Sequence, residues 1–69
     1  MTTIVLNGET TEVGSETSID QLLASLNIEN NRLAVEINQE IIPRSEFSSH
    51  ILNEMDKVEI VQAIGGGSI

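Results

Sequence analysis
The chain runs out in Ala63-Ile64-Gly65-Gly66-Gly67-Ser68-Ile69, and the glycine triplet is the pattern with the clearest chemical consequence. Glycine is the most costly residue to order, so a triplet after an apolar, strand-like run adds nothing to a core. Lacking side chains, it threads a narrow slot that any Cβ would obstruct. Such a tail suits handling by another protein's site.

The other candidates for chemistry are weaker. His50 lies in a polar stretch with no cysteine or second histidine nearby, which reads as a surface residue rather than a metal ligand. Glu54 and Asp56 resemble a carboxylate pair, yet beside Lys57 in a tight connection they read as turn residues. Pro43-Arg44 closes a short strand and leaves Arg44 available to a carboxylate or phosphate on a partner.

Sixty-nine residues without cysteine make one domain whose stability must come from a single core, with no disulfide or thiolate-bound metal to help. A chain of this size encloses no deep substrate pocket, which argues against an enzyme. Three basic residues face eleven acidic ones, for a formal charge of -8. Nucleic acid would be repelled, and Phe47, the lone aromatic, makes no stacking platform. The acidity serves solubility or steers the chain toward a basic partner. No apolar run is long enough to span a membrane and no signal peptide opens the chain, so a cytoplasmic location is expected.

Stepping along the chain, two β-rich runs, 3–7 and 9–13, meet at Asn7-Gly8, a strong hairpin signal. Ser18 with Gln21 three residues on forms a capping box, and Ile19, Leu22, Leu23 and Leu26 follow on one helical face, predicting a helix over 18–26. Residues 27–31 break it. Leu33, Val35 and Ile37 then alternate as a third strand, and Asn38-Gln39 turns the chain into Ile41-Ile42, stopped by Pro43. Ser45 is expected to cap a short helical turn with Phe47 and Ile51 on one side. Asn53 to Asp56 reads as a turn, and 57–64 as the last strand with Val58 and Ile60 inward, Glu59 and Val61 outward. The predicted core includes Ile4, Leu6, Leu22, Leu23, Leu26, Val35, Val58 and Ile60.

One helix covers one face of a sheet. The other face, with Val5, Ala34, Val61 and Ala63, is left for solvent or a partner, and its place beside the emerging tail favours docking. The expected organisation is an α+β domain over 1–64 and a flexible tail over 65–69.

This order of elements resembles the β-grasp fold of ubiquitin and the bacterial sulfur carriers: a mixed sheet of four to five strands with one main helix across one face. Within it, Ala34-Val35-Glu36-Ile37-Asn38, Ile42-Pro43-Arg44, Val58-Glu59-Ile60-Val61 and Ile64-Gly65-Gly66-Gly67 are similar to the ThiS family of thiamine biosynthesis, over essentially the whole chain. The resemblance implies a protein co-substrate rather than an enzyme. In that family an ATP-dependent, ThiF-like adenylating enzyme activates the terminal Gly-Gly carboxylate, and a sulfur donor system converts it to a thiocarboxylate. A ThiG-like thiazole synthase then takes the sulfur. Carried onto this sequence, Gly67 bears the sulfur, Gly65 and Gly66 are recognised in the tail, and Val5, Ala34, Arg44, Val61 and Ala63 dock partners. The carrier binds no cofactor or metal, since ATP belongs to the activating enzyme.

The family commonly ends at Gly-Gly, whereas Ser68-Ile69 follows here and ties up the Gly67 carbonyl in an amide. Some relatives carry a short extension that a metalloprotease removes, and the same is expected of this tail unless the two residues are a cloning remnant. The molybdopterin synthase small subunit and a carrier for cysteine biosynthesis share the tail chemistry; the former tends to be longer and to approach Gly-Gly through a proline that Gln62-Ala63-Ile64 lacks. A ubiquitin-like protein modifier and a plain β-grasp binding module are the alternatives of another class.

Overall fold
Asn7 and Gly8 both adopt positive φ, 48° and 87°, the pattern of a two-residue turn whose twist matches the strands it joins. They connect β1 (Thr2–Leu6) to β2 (Glu9–Val13) as an antiparallel hairpin. This computed structural model describes residues 1–28 and 33–62, and of Gln62 the backbone alone.

Helix α1 (Ile19–Ser25) starts where the sequence places it. The Gln21 amide donates to Ser18 Oγ at 3.2 Å and the Ser18 amide to Gln21 Oε1 at 3.0 Å, so two orphan donors are satisfied reciprocally. At the other end Asn27 takes a left-handed φ of 62°, its amide donates to Ala24 O, and the Ile28 amide reaches back to Leu23 O. These two hydrogen bonds make a Schellman closure, the physical reason the helix stops before Asn27.

β3 (Leu33–Ile37) turns through Asn38-Gln39, again both at positive φ, into the short β4 (Glu40–Ile42). A 3₁₀ turn, Arg44–Glu46, and a loop lead to β5 (Lys57–Gln62). The strands lie in the order β2-β1-β5-β3-β4, with β1 and β5 parallel and the other neighbours antiparallel. The mixed sheet with one main helix is the expected α+β architecture.

Ile4, Val35, Ile37, Ile42 and Val58 from the sheet pack with Ile19, Leu22 and Leu23 from the helix and with Phe47 and Leu52 from the segment between β4 and β5. Burying each large aliphatic side chain contributes about 1.5–3 kcal/mol. Leu6 and Ile60 pack against this cluster as partly buried neighbours, as does Val13. Leu26, assigned to the core from helical spacing, is instead 39 % exposed. The helix has ended by then: Leu26 is the C-cap with φ -90° and ψ 0°, so its side chain leaves the stripe that faces the sheet.

Two further expectations are corrected. Ser45 does not cap the short turn: Pro43, with φ pre-set at -63°, occupies the cap position and no side-chain cap bond forms. Phe47 is buried but Ile51 is 41 % exposed, because the helical turn is spent before Ile51, which instead bridges to Ser18 in extended conformation. That bridge, with the Leu52 amide donating to Thr17 O at 2.8 Å, ties the loop to the start of α1.

Candidate functional site
β5 occupies the middle of the sheet, so the segment that carries the glycine tail leaves from the most supported strand of the fold. Two hairpin-turn asparagines hold it, one from each side. Asn7 Oδ1 accepts the Ile60 amide at 2.9 Å while the Asn7 amide donates to Val58 O. Asn38 Oδ1 accepts the Lys57 amide at 3.0 Å, and the Asn38 amide donates to Lys57 O. The left-handed backbone of each turn aims the side chain along the neighbouring strand, and asparagine tolerates that conformation better than most residues.

The start of β5 is pinned by Asp56, buried to 7 % exposure. One carboxylate oxygen accepts the Asn53 amide at 2.8 Å and the other accepts Asn38 Nδ2–H at 3.0 Å. Asn53 to Asp56 is thus a turn as expected, closed also by the Asp56 amide on Asn53 O and with Met55 at φ 67°. Asp56 does structural work there rather than serving as half of a chemical carboxylate pair, since Glu54 reaches away to accept the Thr3 amide.

Alternation along β5 buries Val58 and exposes Val61 at 60 %, as expected. Ala34 stands directly opposite Val61 across β3 and β5, so these two docking candidates form one small apolar patch on the face away from α1. Val5 shares that face, but it pairs with Lys57 at the far end of β5 and is half-buried. Arg44 is exposed in the 3₁₀ turn that follows β4. Ala63, Gly65, Gly66 and Gly67 lie outside the described residues.

Residues that the sequence did not single out for docking also belong to this face. Glu36 pairs with Glu59, and Ile41, 70 % exposed, pairs with Glu36 from β4. Asn38 and Asp56 complete the support beneath β5. His50 is half-buried, and its carbonyl accepts the Ile19 amide. Among the described residues no three histidine or carboxylate side chains gather as a metal site, and no helix is long and apolar enough to cross a membrane.

The ThiS family model matches residues 3–67. The chain belongs to the ThiS family. Its match to that family runs through β5 and all three tail glycines and stops at Gly67, leaving Ser68 and Ile69 beyond it. The sulfur carrier protein ThiS of Bacillus subtilis is 40 % identical over 63 residues, covering 90 % of this chain and 96 % of that one. The crystal structure of the thiamine biosynthesis protein (ThiS) from Geobacter metallireducens superposes with a TM-score of 0.80 at 26 % identity, over 94 % of this chain and 99 % of that one. The ThiS-type sequence and the ThiS-like fold each extend over nearly the whole chain. A thiazole synthase of Paramagnetospirillum magneticum is 40 % identical over 65 residues, which are 94 % of this chain but only 20 % of that protein. This ThiS-family chain thus spans a fifth of that relative's length.

Proposed function
We propose that this chain is a sulfur carrier that serves thiazole formation in thiamine biosynthesis, acting in the cytoplasm as a protein co-substrate rather than an enzyme. The observation that carries the reading is the family match ending at Gly67, on a glycine tail continued from the central strand. The rigid part supplies a handle, and the tail supplies the acceptor.

In the proposed cycle a ThiF-like adenylating enzyme binds ATP and receives the tail. An oxygen of the Gly67 carboxylate attacks the α-phosphorus, a P–O bond forms, and pyrophosphate leaves. The acyl-adenylate now has AMP as a leaving group where the bare carboxylate had none. A sulfur nucleophile at the oxidation level of sulfide, delivered by the sulfur donor system, attacks the carbonyl carbon and expels AMP to give the thiocarboxylate. Thiazole synthase is the acceptor of that sulfur, a role favoured by the thiazole synthase that contains a segment like this chain.

The chain itself contributes reach and position. Asn7, Asn38 and Asp56 fix β5, so the glycines start from a defined point, and their missing side chains let the carboxylate approach a buried phosphate. Gly65 and Gly66 are the residues the channel reads, with Val5, Ala34, Val61, Ala63 and Arg44 docking the body. Acid, base, metal and nucleotide all belong to the activating enzyme, so the carrier holds no cofactor. A free Gly67 carboxylate requires that Ser68-Ile69 be absent, removed by a processing metalloprotease.

Three forms test this: the full chain, a chain ending at Gly67, and the latter with Gly66→Ala. Each is incubated with the ThiF-like enzyme, ATP and a sulfur source, then read by ATP–pyrophosphate exchange and intact mass. The chain ending at Gly67 should gain the thiocarboxylate, whereas the full chain should not and Gly66→Ala should suppress activation without unfolding the domain. Equal activity of the uncleaved full chain would show that Gly67 is not the acceptor. Lysine-linked adducts would point to a protein modifier, and inertness of every form to a binding module.

A further inference from the structure
The pairing of β3 with β5 sets Glu36 directly opposite Glu59 on the sheet face away from α1. Cross-strand neighbours keep their Cβ atoms about 4.5–5.5 Å apart, and like charges so placed destabilise the sheet. Among the described residues neither carboxylate has a hydrogen-bond or ion-pair partner. Lys57 shares the face two positions before Glu59, but it pairs with Val5 and does not stand between the two carboxylates. Apolar side chains flank the pair on two sides, Val61 opposite Ala34 further along the strands and Ile41 beside Glu36 on β4, with Val61 60 % and Ile41 70 % exposed.

A second copy of the chain is a poor occupant, because it would bring the same carboxylates to the same place and each chain carries a formal charge of -8. An apolar surface alone would desolvate two unpaired carboxylates at a high cost. Resting on the carrier reading above, we propose that this face docks a partner protein presenting an arginine or lysine between Glu36 and Glu59, within a ring of apolar side chains that covers Val61, Ala34 and Ile41. A cation seated there converts the repulsion into two charge-assisted hydrogen bonds, and the apolar ring strengthens them by excluding water. The pair that weakens the free carrier therefore strengthens the complex. The face selects which proteins hold the carrier, while the tail undergoes the chemistry.

The test is isothermal titration of the full chain against the ThiF-like adenylating enzyme and, separately, against thiazole synthase, at low and high salt. The variants are Glu36→Gln, Glu59→Gln, the double substitution, Lys57→Gln and Val61→Asp, each also melted thermally. The glutamine variants should melt no lower than the unmodified chain. They should bind at least one of the two proteins roughly tenfold or more weakly, with a smaller salt dependence. Lys57→Gln, which removes the face's own cation, should leave binding unchanged or tighter. If the glutamine variants bind both proteins as the unmodified chain does, the cation is refuted: loss with Val61→Asp alone would leave a purely apolar docking face, and no loss at all would remove the face. A lower melting temperature for the glutamine variants would refute the repulsion. Thiocarboxylation of the chain ending at Gly67 is read independently, so its success beside unchanged glutamine-variant affinities sinks only this proposal, and its failure sinks the carrier reading on which the proposal rests.

Discussion
Leu22 and Leu26 are the same residue on the same helical spacing, yet truncating each should have different consequences. Leu22 is 2 % exposed on the side of α1 that packs with Ile4, Val35 and Val58, which are fully buried, so removing its isopropyl group leaves a closed cavity. Such Leu→Ala changes cost about 2–5 kcal/mol. Leu26, 39 % exposed at the C-cap, forfeits only part of a burial contribution of about 1.5–3 kcal/mol and leaves an opening that water fills, for a loss of about 1 kcal/mol. At about 0.05–0.15 kcal/mol per residue, a domain of this length has roughly 3–10 kcal/mol in all. Leu22→Ala thus removes a large fraction of the stability and Leu26→Ala a small one. Urea titration followed by far-ultraviolet circular dichroism measures both. With a slope near 1 kcal/mol per molar urea, the midpoint should fall by roughly 2 M or more for the first and by about 1 M or less for the second. If Leu22→Ala is already unfolded in buffer, Leu22→Val gives the graded comparison. Equal midpoint shifts for Leu22→Ala and Leu26→Ala would refute the helix terminus and the core assignment together.

Asp56→Ala should lower stability by about 2–3 kcal/mol, because it strips the acceptor from the Asn53 amide and the Asn38 side chain, whereas Asp56→Asn, which keeps one acceptor, should lose less; thermal melts give the order. Gln39 sits at φ 72° in a two-residue turn without glycine, so Gln39→Gly should raise the melting temperature, by roughly 2–8 °C for a gain of about 0.5–1 kcal/mol. Ser18→Ala breaks the capping box and should cost about 1 kcal/mol in the same melt, while Ser18→Thr restores most of it.

Much of the fold was legible because its signals are local. Asn7-Gly8 names its own turn through the left-handed tolerance of both residues, and Ser18 with Gln21 marks the helix start through a hydrogen-bond pair that spans three residues. Period-two alternation assigned Val58 and Ile60 to one face and Glu59 and Val61 to the other before any partner strand was known. The helix end was less legible: Leu26 fits the apolar spacing, but the Schellman bonds that close the helix depend on how Asn27 and Ile28 fold back. Ser45 misled for a similar reason, since a serine after Pro43 looks like a cap until the proline takes that position itself.

By itself, then, the sequence determined the periodicities, the turns, the helix start, the charge of -8 and the glycine tail. It also showed that Glu36 and Glu59 each point away from the helix, because each is flanked by inward aliphatics on its own strand. That they stand opposite one another was decided only by the tertiary structure, since a shift of one residue in the β3–β5 register would change every cross-strand pair on that face. The same holds for Asn7 and Asn38, which reach β5 from 53 and 19 residues away in sequence, and for the bond from Asn38 to Asp56 just before that strand. Long-range pairing leaves no local trace in composition or spacing, and it is this pairing that places the tail-bearing strand at the centre of the sheet.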